Sequence, residues 1–249
     1  MAADADVAAV AELVARPARA RILQALADGR ALPASVLADR AGVARSTASE
    51  HLGRLVAGGL LAVEAHGRHR YYRLAGEEVA RLLEALARVA PEVQVRSLGD
   101  ATRGAALHRA RYCYDHVAGR LGVTLLDLLL ADGTIDGHDG SFRPGVDRLS
   151  SRGGDSPYRL RSPGGLLGAL GVVPAAIEGR RPLLGFCVDW SEQRHHLAGG
   201  LGAAIATALV DQGWIERAEA SRVVHVLPAG AEGLARAGVD GATLTAITG

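Results

Sequence analysis

The sequence predicts a mainly α-helical chain with small β-hairpins, an α+β protein built as two domains. Three observations predict it. Apolar residues recur at helical spacing through most of the chain, and helix ends are marked by Gly or Pro. Strand-like alternation is confined to short stretches, of which LLAVEAHGRHRYYRL at 60–74 is the clearest. A twenty-residue segment that begins at His116 returns at His196, eighty positions later. A length of 249 residues is comfortable for two domains, and 49% apolar composition allows a core without staples.

The elements of the first ninety residues follow in order. VAAVAELVARPARARILQALADG predicts helices over about 5–15 and 17–27, with Leu13, Ile22, Leu23 and Leu26 apolar, Pro17 at a permitted first-turn position and Gly29 as the stop. LPASVLADRAG is a short helix with Val36, Leu37 and Ala41 inward, and Gly42 makes the turn. ARSTASEHLGRLVAGG follows as a helix with Val43, Ala48, Leu52, Leu55 and Val56 as its buried stripe. Its outward face carries Arg45, Ser46, Thr47, Ser49, Glu50 and Arg54. Two helices joined by a tight Gly turn make a helix-turn-helix, whose second helix fits a major groove. Strands at about 60–65 and 69–74 form a hairpin behind it, a wing with Arg68, His69 and Arg70 at its tip. Small hydroxyls let a helix approach base edges and phosphates, and Arg brings charge and bidentate contacts to guanine.

At this point the sequence resembles the DNA-binding domain of the ArsR/SmtB family of winged-helix repressors. The residues that carry the resemblance are ARPARARILQAL, VLADRAGVARSTASEHLGRLVAGGLL and GRHRYYRL, within 7–88. It implies a homodimer joined through the first and last helices of the domain. The last would be GEEVARLLEALARVA, 76–90, whose Val79, Leu82, Leu83, Leu86 and Val89 form an apolar stripe. It also implies base and phosphate contacts from Arg45, Ser46, Thr47 and Ser49, and backbone contacts from Arg54 and the wing. The chain departs from the metal-sensing members: LPASVLADRAG has no Cys, and helix 76–90 lacks paired His and acidic ligands. The family's metal sites are therefore not carried over.

Pro91 and Gly99 punctuate an extended stretch, which places a linker at 92–100 between a first domain, 1–91, and a second, 101–249. The second domain is read from its repeat. HVAGRLGVTLLDLLLADGTI at 116 matches HLAGGLGAAIATALVDQGWI at 196; upstream, CYDH at 113 echoes CVDW at 187, and downstream, YRLRSPGGLLGALGV echoes VHVLPAGAEGLARAGV. Two repeats, about 101–172 and 183–241, are expected as a closed pair about a pseudo-twofold axis, each a degenerate winged-helix-like unit. Neither has a basic recognition face. The first carries an insertion at 136–157, rich in Gly, Ser, Asp and Arg, which reads as a mobile loop and a candidate lid.

The repeated Cys-x-Asp element is the strongest site candidate in this domain. On a helix Cys113 and His116 would share a face, with Cys187 and His195 or His196 meeting them across the axis. Three readings stay open. The favoured one is a small organic effector edged by Tyr112, Cys113, His116, Cys187, Trp190, His195, His196 and Trp214. The second is a thiolate–imidazole site for a soft metal or haem. The third is a structural or partner-binding module with no ligand.

Bulk properties narrow the classes. All 28 basic residues are Arg, so Arg abundance alone says little, and the net charge is only +1. Two cysteines are too few for a disulfide scaffold, which fits a reducing cytoplasmic setting. No apolar run approaches the ~18 residues of a membrane span, and the N-terminus has no basic start of a secretory signal. No nucleophile elbow, P-loop or G-x-G-x-x-G after a strand is present, so an enzyme is not expected. The expected function is a cytoplasmic, homodimeric, effector-responsive repressor bound to double-stranded DNA.

Overall fold

A computed structural model describes residues 4–66, 69–91, 98–151, 155–162, 164–218 and 221–249. The chain divides into two compact units, Met1–Glu84 and Ala85–Gly249. No helix among the described residues is long and apolar enough to cross a membrane.

The first unit opens with α1 (Val7–Val14) and α2 (Pro17–Ala25), then β1 (Leu32–Pro33), α3 (Ala34–Ala41), α4 (Arg45–Ala57), β2 (Leu61–His66) and β3 (His69–Leu74). Asp6 caps α1 by accepting from the Ala9 N–H, and Pro17 occupies the first turn of α2. The C-terminal carbonyls of the helices are met by arginines. Buried Arg19 donates to the carbonyls of Glu12 and Leu13, and Arg21 donates to that of Ala41. Gly42 stands at φ +66°, a left-handed position that stops α3 and turns the chain into α4. The core joins Ile22, Leu23, Leu26, Leu37, Ala48, Leu52, Leu55, Leu61, Tyr72 and Leu74. The antiparallel hairpin pairs Leu61 with Leu74 and His66 with His69. β1 adds a short third strand, Leu32 against Tyr72, in the order β1-β3-β2. Helices and hairpin thus agree with the sequence reading, and β1 is new. α5 (Glu77–Val89) follows, with Leu86 and Val89 exposed.

The second unit continues with α6 (Leu98–Arg109), β4 (Arg111–Cys113), β5 (His116–Ala118), α7 (Gly119–Ala131), β6 (Ile135–Asp136), β7 (Arg159–Leu160) and α8 (Gly165–Ala169). After a 3-10 turn at Pro174–Ala176 come β8 (Gly185–Val188), β9 (His195–Ala198), α9 (Gly199–Asp211), β10 (Ile215–Arg217), β11 (Val224–Val226), α10 (Pro228–Arg236) and α11 (Gly241–Thr248). The order hairpin, helix, two paired strands, helix therefore occurs twice. All four strand pairs are antiparallel and two-stranded.

The two halves hold each other crosswise: α7 packs on β9 and α9 on β5. A Cβ on Gly122 would lie 2.4 Å from the Val117 carbonyl oxygen and 3.4 Å from the His196 Cβ. A Cβ on Gly202 would lie 2.6 Å from the Leu197 carbonyl oxygen and 3.4 Å from the His116 Cβ. Each helix needs Gly at this point because a carbonyl of the strand just before it lies too close for a side chain, with the histidine of the other half packed alongside. Leu121, Leu125, Leu126 and Leu129 of α7 meet Leu201, Ile205 and Leu209 of α9 in one core.

Two expectations are corrected here. Cys113 and His116 do not share a helix; they are cross-strand partners in a hairpin closed by Tyr114 and Asp115, with Tyr114 at φ +65°. The described part of the 136–157 insertion is not a free lid. It lies along both edges of the β8–β9 hairpin, with His195 N–H donating to the Gly140 carbonyl and Val188 N–H to that of Leu149. A two-stranded hairpin leaves both edges unpaired, and the insertion satisfies them. Residues 152–154 lie outside the described ones.

Candidate functional site

The first candidate surface is α4. Arg45, Ser46, Thr47, Ser49, Glu50 and Arg54 are all exposed, while Ala48, Leu52 and Leu55 on the opposite side are buried. The division follows the helical period: residues three and four apart share a face. Arg54 donates to Glu50 at 2.8 Å, an exposed i,i+4 pair that adds little stability and leaves Arg54 able to turn outward. In the wing Arg70 is exposed, and Arg73 pairs with Glu64 across the strands at 2.6 Å. Arg68 lies outside the described residues, as does the side chain of His69.

The second candidate lies inside the C-terminal unit. Cys113 faces His116 across one hairpin and Cys187 faces His196 across the other. One donor atom from each of the four residues lies within 4.8 Å of all the others, and all four residues are buried. The two imidazole rings are 5.2 Å apart. Ala118 and Ala198 pack beside the two cysteines, neither of which is in a disulfide.

Each histidine has a carboxylate from its own Cys-x-Asp element nearby. His116 Nδ1 is 3.2 Å from Asp115, which also pairs with Arg181. His196 Nδ1 is 3.7 Å from Asp189. Asp189 and Arg111 form an ion pair at 2.9 Å with both side chains fully buried. Asp189 further accepts from the Gly119 N–H and from Ser191, and Arg111 lies over the Trp190 ring. Burial raises the Asp189 carboxyl, but Arg111 and His196 outweigh it and hold it below the usual carboxylate range. Burial lowers His116, yet Cys113 and Asp115 prevail and raise it to about 9. His196 is pushed well below its ordinary value by burial, which outweighs the pull of Asp189. The Nε2 atoms of both histidines, and Nδ1 of His196, have no hydrogen-bond partner. Buried nitrogens left so cost about 1–3 kcal/mol each. A cation bound between the four residues would engage such atoms.

The remaining residues expected here are not gathered at the cluster. Strand alternation points His195 to the other face of β9, where it stacks on Phe186 at 4.1 Å and meets the Tyr158 hydroxyl at 2.8 Å. Tyr112 likewise faces away from Cys113 and lies under Arg217. Trp214 fills the space over Gly230 and Gly233 of α10. Trp190 serves the Arg111 pair. The sequence reading missed Arg111 and Asp189 as partners; the only signal was the second Cys-x-Asp copy.

A helix-turn-helix with an outward polar second helix and a hairpin beside it defines a winged DNA-binding module. The sequence comparisons agree. A helix-turn-helix domain family matches residues 14–64. The chain is 36% identical over 227 residues to a Bacillus subtilis protein described as an uncharacterized HTH-type transcriptional regulator, YdfF, covering 90% of this chain and 93% of that one. It is 42% identical over 88 residues to the HTH-type transcriptional regulator Rv0324 of Mycobacterium tuberculosis, covering 35% and 38% of the two chains. Among solved structures, the homodimeric winged helix-turn-helix domain of Mb0332 from Mycobacterium bovis, a possible ArsR-family regulator, matches at 38% identity and TM-score 0.31, covering 36% of this chain and 88% of that one. The chain belongs to the HTH-type transcriptional regulators, which bind DNA.

Proposed function

We propose that this regulator is a cytoplasmic homodimeric repressor whose two α4 helices read a pseudo-palindromic operator. Half-sites would lie about one helical turn, ~10 bp, or a multiple of it apart. The observation that carries the reading is the two-faced α4: three hydroxyls and two arginines outward, Leu52 and Leu55 fully buried. The exposed Leu86 and Val89 of α5, with the ArsR/SmtB resemblance, support a dimer formed through the helices flanking the winged module. The C-terminal unit supplies the response, with an effector bound at the Cys113, His116, Cys187 and His196 cluster. Such an effector must bind the free and DNA-bound forms unequally, with a coupling of ~1–3 kcal/mol.

The test begins with selection of bound sequences from random duplex DNA by the full chain. A two-fold symmetric consensus is expected. Arg45→Ala and Ser49→Ala should each weaken binding and relax the consensus at the position that residue reads, while circular dichroism stays unchanged. An unaltered consensus in both variants would remove α4 as the reading element.

A further inference from the structure

We propose that Cys113, His116, Cys187 and His196 form a closed four-coordinate site for a thiophilic divalent cation of the zinc type, which clasps the two hairpins of the C-terminal unit. Four features converge on it. The donors are two sulfurs and two imidazoles, a set that suits tetrahedral zinc. They are already gathered within 4.8 Å. A tetrahedron with bonds of about 2.0–2.3 Å has edges of roughly 3.3–3.8 Å, so a contraction on the order of 1 Å completes it.

The second feature is the unused valence: both ring nitrogens of His196 are buried without a hydrogen-bond partner. The third is the surrounding shell. Asp115 stands 3.2 Å from His116 Nδ1, the carboxylate–histidine arrangement that orients a metal-bound imidazole, while Asp189 lies near His196 Nδ1 at 3.7 Å without a hydrogen bond. The fourth is charge. Two thiolates, two neutral imidazoles and a divalent cation sum to zero, as a site this deeply buried requires, and the protons held by the cysteines and by His116 leave to solvent on binding. A monovalent soft ion would leave a net negative charge inside. Four protein donors leave no open coordination position, so the ion is bound rather than used in turnover. A drug-sized ligand needs about 300–1,000 Å3, which the space between these donors does not offer. The site shares no residue with α3 or α5.

Only its regulatory consequence rests on the reading of the chain as effector-responsive. The probe is Co2+, titrated into the reduced, chelator-treated full chain. Because the chain has only two cysteines, any thiolate-to-cobalt band reports this site. One equivalent should bring that band together with the strong visible absorption of tetrahedral cobalt, and one equivalent of Zn2+ should abolish both. His116→Gln and His196→Gln should each weaken binding by more than the ~10–100-fold that loss of an outer partner such as Asp115 would cost. Should these variants not fold, the wild type still decides: Zn2+ should slow alkylation of both thiols at least tenfold. A pale octahedral cobalt spectrum without a thiolate band, or thiols alkylated equally fast with and without Zn2+, would overturn the site. Operator affinity is then compared between loaded and stripped chain, with a change of at least about fivefold expected. If the cobalt signature forms and affinity does not move, the metal site stands and the effector reading falls. If affinity moves on chelator treatment with no cobalt signature, the reverse holds.

Discussion

Arg45 stands at the first position of α4, exposed beside the other polar residues of its outward face. Arg45→Ala should cost about 1–3 kcal/mol of operator binding and relax preference at one base position, read by fluorescence anisotropy on single-base variants. His195 makes a different prediction. Burial, with His138 adding to it, pushes its pKa down to about 4 from an ordinary 6.5. Burial also keeps the Tyr158 hydroxyl protonated, and it shares a hydrogen bond with the neutral His195 Nδ1 at 2.8 Å. A depressed folded-state value means that the unfolded chain takes up the proton first. Stability from this residue is complete above pH 6.5 and is lost as pH falls toward 4. The urea midpoint of the C-terminal unit should therefore fall over that window in the wild type, and less steeply in His195→Gln. At this scale the sequence was legible in kind more than in place. Cys113 and His116, three apart, fit one helix face and also fit opposite ends of a two-residue turn. Only the chain beyond them decides, because Gly119 begins a new helix and RYC and HVA are too short for anything but strands.

The helix-turn-helix could be read from the sequence because each of its signals acts locally. Gly42 ends α3, Pro17 opens α2, and Ala48, Leu52 and Leu55 recur at helical spacing. β1 escaped because two residues carry no periodicity; its pairing with Tyr72 is set by tertiary packing. The hairpins β4–β5 and β8–β9 escaped for the same reason, although they hold the cluster. The wing tests whether its charge positions or specifies. Arg70 is exposed on β3, so Arg70→Ala should weaken binding to all duplexes alike and lower the salt slope by about one. A change in consensus instead would assign Arg70 a base contact.

The internal echo at eighty positions raised the expectation of two similar halves; among the described residues the order hairpin, helix, paired strands, helix occurs twice. What sequence alone withheld was their crosswise packing, since no local pattern states which helix will cover which hairpin. Gly122→Ala or Gly202→Ala forces a methyl to within 2.4 or 2.6 Å of a carbonyl oxygen. Each should destabilise the C-terminal unit by on the order of 1–3 kcal/mol in chemical denaturation. The dimer reading belongs to this scale as well. Leu86→Glu with Val89→Glu places charge on the exposed stripe of α5. Sedimentation should then show monomers, with operator affinity lost and helix content kept. A persistent dimer would move the interface elsewhere.

The reciprocal fit of Gly122 against His196 and Gly202 against His116 makes the twin halves obligate complements. Neither can be expressed by itself as a finished module, since each lacks the helix that roofs its own histidine. Severing the backbone at exposed Gly179, between α8 and β8, should yield two fragments that are silent apart and reassemble when mixed, a natural split reporter.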